Sequence, residues 1–109
     1  AEEGAVVPAI WHLEVANALL AAERRGILDA ATRAAALEHL AVLPISADME
    51  TAARAWPGTL ALARDYGLPV QDAAYLELAL RRQMPLATFD AALLRAGEVA
   101  GARLVGTAG

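Results

Sequence analysis

Cysteine is absent from this chain, which rules out disulfides and thiolate metal sites and is compatible with a reducing cytosol. No apolar run approaches the roughly 20 residues of a membrane span. The start, Ala1-Glu2-Glu3-Gly4, is acidic where a secretory leader would carry a basic region. No glycine-rich phosphate loop is present. No internal repeat or low-complexity linker divides the chain. His12 and His39 lie far apart in sequence and lack ligand spacing, so both read as exposed or capping residues rather than zinc ligands.

What remains is one domain's worth of sequence, residues 1–109. At this length roughly two-thirds of the unfolded surface can be buried, enough for a core. The apolar fraction is 58%, much of it alanine, and only 20% of residues are charged, which argues for a helix-rich folded chain and against disorder. The formal net charge of −4 does not exclude a nucleic-acid partner. It means that phosphate affinity would come from a local patch or a bound cation rather than from the overall field.

Strand and helix signals alternate along the chain. Ala5-Val6-Val7-Pro8 reads as a short buried strand ended by proline. A helix is predicted from about Ile10 to Arg25, stopped by Gly26. Asp29 caps a second, about Ala30 to Leu40. Val42-Leu43-Pro44-Ile45 reads as a strand. A third helix, capped by Ser46 or Asp48, runs from about Met49 to Trp56 and is broken by Pro57-Gly58. A fourth covers about Thr59 to Tyr66 and ends at Gly67. A fifth covers about Asp72 to Arg82. The strand Leu86-Ala87-Thr88, a helix from about Ala91 to Ala96, and the strand Arg103-Leu104-Val105 complete the pattern. Such alternation predicts an α/β fold: a parallel sheet flanked by crossover helices.

Three acids stand out against this frame. On a helical wheel, Glu14 and Asn17 share a narrow polar stripe between two apolar arcs, one of Trp11, Val15, Ala18, Leu19 and Ala22, the other of Leu13, Ala16 and Leu20. Asp72 lies in a helix's first turn, and Asp90 immediately precedes a helix. Each has an ordinary explanation: solvent exposure for Glu14, the helix dipole for Asp72, and an N-cap for Asp90. Helix starts in α/β sheets, however, lie at the carboxyl ends of strands, where ligands bind. All three acids are therefore expected at one edge. Carboxylate oxygens suit Mg²⁺ or Mn²⁺, and such ions promote phosphodiester hydrolysis. Thr88 reads as a hydrogen-bond donor that orients Asp90 or a metal-bound water. The pairs Arg24-Arg25 and Arg81-Arg82 are explained by helix C-termini complementing the dipole, with phosphate gripping as the alternative.

The segments around these acids resemble a known family. Pro8-Ala9-Ile10-Trp11-His12-Leu13-Glu14-Val15-Ala16-Asn17-Ala18-Leu19 is similar to the second motif of PIN-domain ribonucleases, in particular VapC-type toxins. Tyr66-Gly67-Leu68-Pro69-Val70-Gln71-Asp72-Ala73-Ala74-Tyr75-Leu76-Glu77-Leu78-Ala79 resembles the third, and Pro85-Leu86-Ala87-Thr88-Phe89-Asp90 the fourth. The resemblance implies a Mg²⁺- or Mn²⁺-dependent endoribonuclease acting on structured RNA such as transfer RNA. It further implies a cognate antitoxin protein and a homodimer. Glu14, Asp72 and Asp90 would be the catalytic metal-site acids, with Asn17 and Thr88 as supporting polar groups.

The resemblance also implies an opening strand, an Asp and a helix that this sequence does not contain; Glu2 and Glu3 both precede the strand beside it and cannot replace that Asp. The expected fold is thus PIN-like but N-terminally incomplete, with the first, central strand absent, an open slot in the sheet, and impaired nuclease activity in this chain. Two other readings stand beside it. One is a degenerate, non-catalytic PIN-like module that binds RNA or a protein partner. The other is a small all-helical interaction protein in which every acid is a cap.

Overall fold

A computed structural model describes residues 4–86 and 91–102. In order, the elements are β1 (Ala5–Pro8), α1 (Trp11–Arg24), α2 (Ala30–Ala41), β2 (Ile45–Asp48), α3 (Thr51–Arg54), a π-helical turn (Ala55–Thr59), α4 (Leu60–Tyr66), α5 (Val70–Arg82) and α6 (Ala91–Ala100). Strands β1 and β2 pair in parallel as a two-stranded sheet. The protein is therefore α/β, as the alternating pattern predicts, and the all-helical reading is set aside. The chain forms two compact units, residues 1–47 and 48–109.

In the first unit, the two alanine-rich helices end on local chemistry. Gly26 adopts φ 76° after α1, and Ile27 N–H closes back onto Ala22 O at 2.9 Å. The Asp29 carboxylate accepts the Thr32 N–H at 2.8 Å and caps α2. An ion pair between Arg33 and Glu23 ties the two helices together. Among the described residues of α1 and α2, none is fully buried.

The start of β1 depends on Gly4. Its φ of 109° lies outside the range open to most side chains, and a Cβ there would sit 1.9 Å from Pro44 O. Ala5 N–H bonds that same carbonyl at 2.9 Å. Gly4→Ala is therefore expected to break the β1–β2 pairing and to destabilise by more than 1 kcal/mol, about the scale of a single forced backbone conformation. Thermal unfolding checks this; an unchanged midpoint would refute it.

In the second unit, α4, α5 and α6 enclose a core of Ala63, Leu68, Ala73, Leu76, Ala79, Leu86, Leu93 and Ala96. Leu76 is fully buried, and such a side chain contributes about 1.5–3 kcal/mol. Gly67, at φ 67°, ends α4 by letting Leu68 N–H reach Ala63 O at 3.0 Å.

Several boundaries differ from the sequence expectation. The second strand is Ile45–Asp48 rather than 42–45. Val42 and Leu43 are used to close α2, where Leu43 N–H bonds Leu40 O at 3.1 Å, and Pro44 has no N–H to offer a ladder. The helix predicted to break at Pro57-Gly58 instead continues through it. A wider π turn absorbs the proline, with Leu60 N–H reaching five residues back to Ala55 O. Helix α5 starts at Val70, two residues before Asp72, because Pro69 is extended and fixes the entry. Helix α6 runs on to Ala100. Leu86 makes a single bridge, whereas Ala87, Thr88 and the predicted strand 103–105 lie outside the described residues.

Candidate functional site

Glu14 sits in the first turn of α1, in the first unit, and is half-buried; its N–H bonds Ile10 O at 3.0 Å. Asn17, one turn on, is exposed. Of one predicted arc, Trp11, Val15, Leu19 and Ala22 are half-buried and Ala18 is exposed; Leu13, Ala16 and Leu20 of the other are all exposed. Trp11, His12 and Val15 line an apolar pocket of about 280 Å³ with Leu37, Leu40 and Ile45, all in the first unit. His12 stacks edge-on against Trp11 and is exposed, consistent with a surface role.

Asp72 is in the first turn of α5, in the second unit, and is also half-buried. Both acids thus occupy a helix's positive end, where the dipole favours a carboxylate. Asp90 and Thr88 lie outside the described residues. Among the described residues, no three His, Cys, Asp or Glu side chains are grouped so as to hold a metal. The predicted donors are all carboxylate oxygens, and that chemistry fits a hard divalent cation.

The most elaborate polar cluster was not anticipated from sequence, where Asp48 was expected to cap a helix and Arg81 to complement a helix end or grip phosphate. Within the second unit, Arg81 lies between three acids. Its Nη2 donates to Asp48 Oδ2 at 2.5 Å and to Glu77 Oε1 at 3.1 Å. Its Nε donates to Glu77 Oε2 at 2.8 Å. Its Nη1 lies 3.4 Å from Asp48 Oδ1 and 3.5 Å from Glu50 Oε2. The Arg81 side chain is 13% exposed, against 4% for Asp48 and 11% for Glu77. Thr51 Oγ1 donates to Asp48 O at 3.0 Å and to its Oδ2 at 3.3 Å.

Burial alone would push the Asp48 carboxyl up. The Arg81 hydrogen bond, the Glu50 backbone N–H, the Arg81 charge and the Thr51 hydroxyl together outweigh it and hold the group below the ordinary carboxylate value. The hydrogen bonds that Arg81 donates to Glu77 and then to Asp48 raise it further above its already high value. Every nitrogen of the guanidinium is engaged, so Arg81 is a buried anchor and not a phosphate grip. Arg82 beside it is exposed. One sequence signal points to the cluster: Glu77 interrupts an apolar run and stands four residues before Arg81, the spacing of a helical ion pair. Its partner Asp48 is 33 residues away and is not marked by any local pattern.

No helix among the described residues is long and apolar enough to cross a membrane. Compared with known families, residues 1–99 match the model of the PIN domain. No curated protein matches the chain.

Proposed function

The chain belongs to the PIN-domain family, whose members are generally nucleases, and from that premise we propose that it is a metal-dependent ribonuclease of the VapC toxin type, hydrolysing phosphodiester bonds in structured RNA in the cytosol. The observation that carries this reading is the reach of the family match. It spans both compact units and all three acids, Glu14, Asp72 and Asp90. We accordingly read the chain as one PIN-like domain.

Glu14, Asp72 and Asp90 would hold Mg²⁺ or Mn²⁺ through carboxylate oxygens. When bound, the ion supplies an activated water and neutralises charge on the cleaved phosphate. Asn17 and Thr88 would support the site by hydrogen bonding, Thr88 by orienting Asp90. RNA recognition would rest on shape and on single-stranded segments.

A protein partner of the antitoxin kind and a second copy of the chain belong to the same reading. In the first unit Leu13, Ile27 and Val42 are largely exposed, as are Met49 and Trp56 in the second. Large exposed apolar side chains in such numbers favour interaction surfaces.

A second reading, a non-catalytic module that binds RNA or a protein, draws on the same exposed apolar side chains. Incubating structured RNA with the protein as its gene encodes it separates the two. Cleavage that needs Mg²⁺ or Mn²⁺, stops on chelation and resumes with added Mn²⁺ is expected. RNA binding without cleavage would favour the module.

A further inference from the structure

The Arg81 cluster and Asp72 share one helix, α5. The buried face of α5 is Ala73, Ala74, Leu76, Glu77, Leu78 and Ala79. Three of these six are alanines, and small side chains leave a smooth surface. Apolar burial is also non-directional. Such a face holds the helix down but resists sliding and rotation weakly. A set of directional contacts lies at the C-terminal end of the helix. There Arg81 bonds Asp48 and Glu50, on the segment leading into α3, while also gripping Glu77 on α5 itself. The Glu77 Cγ further lies 3.8 Å from where a Cβ on Gly58 would stand, so the same side chain abuts the π turn. Asp72 is nine residues before Arg81 on this one helix, about 14 Å along its axis.

We propose that Arg81 is a positioning residue: anchored by Asp48 and Glu50, it fixes the register of α5 and so sets where Asp72 is presented. The proposal rests on the metal-site reading for the role of Asp72, but the register itself can be read without metal. A lysine cannot reproduce the contact, because one ammonium lacks the fork that spans several carboxylates.

The test compares Arg81→Lys and Asp48→Asn with Leu80→Ala. Leu80 is a half-buried apolar residue beside Arg81 on α5, packed against the core, so its truncation loosens the same end of the helix without touching the cluster. Backbone amide signals of residues 70–74 are followed by NMR, and Mn²⁺ affinity by calorimetry. Both cluster variants are expected to move those signals and to weaken Mn²⁺ binding about tenfold, the scale of losing a supporting group. Leu80→Ala should do neither at a similar loss of thermal stability. Unmoved signals in either folded cluster variant, or equal movement in Leu80→Ala, would overturn the proposal. If the wild-type chain binds no Mn²⁺ while the cluster variants still move the signals, the metal reading falls and the positioning role stands.

Discussion

Arg81→Met is expected to lower the stability of the second unit by about 3–5 kcal/mol at neutral pH, the usual consequence of leaving buried charges without their partner. Asp48 and Glu77 are both buried. Without the guanidinium they would face each other in a medium that stabilises neither. The loss should depend on pH in a definite direction. In the wild-type protein the folded Asp48 carboxyl titrates below its ordinary value of 3.8. Its contribution is therefore fully present above that value and is lost as the pH falls through the depressed one. In the variant, the burial that already pushes Asp48 upward is no longer outweighed by Arg81, so protonating Asp48 in acid relieves the strain. The gap between the two proteins should narrow as pH falls towards about 4. Adding Asp48→Asn and Glu77→Gln to Arg81→Met should recover part of the loss, since the penalty comes from unpaired charge rather than from missing attraction. Denaturant melts at neutral pH and near pH 4 check all three statements. A loss under 1 kcal/mol at neutral pH would mean that the cluster is solvated in solution.

Substituting any one of Glu14→Gln, Asp72→Asn or Asp90→Asn should reduce metal-dependent RNA cleavage at least as much as the roughly 10–100-fold that follows loss of a supporting group around a metal. The amides keep the shape and an oxygen donor but remove the negative charge that a hard cation requires. Asn17→Ala and Thr88→Ala should have smaller effects, because neither would carry the ion's charge. Raising Mn²⁺ concentration should restore part of the activity of the acid variants if the defect is in ion binding. Three acid variants with wild-type cleavage would remove these residues from the site.

The sequence was informative where local chemistry decides. Strand β1, the Asp29 cap of α2, the Gly26 and Gly67 stops and the span of α4 follow from rules that act within a few residues. It was less informative where a local signal was overridden. Pro57-Gly58 normally ends a helix, yet the packing of α3, α4 and α5 around the π turn carries the chain through it. Pro44, placed inside a strand by its apolar neighbours, instead precedes one. The Arg81 cluster was least legible. Its i,i+4 half, Glu77 and Arg81, is written in the sequence, but Asp48 joins only through tertiary folding. Of the candidate acids, Asp72 lies in a helix's first turn as its sequence position predicts, and Glu14, read from the sequence as part of a polar stripe, is half-buried in the first turn of α1.

The most direct measurement is a calorimetric Mn²⁺ titration of the wild-type chain beside Asp72→Asn. One-site binding that the substitution weakens by about tenfold or more is predicted. Absence of Mn²⁺ binding, or binding that Asp72→Asn leaves unchanged, would contradict a metal centre at these acids.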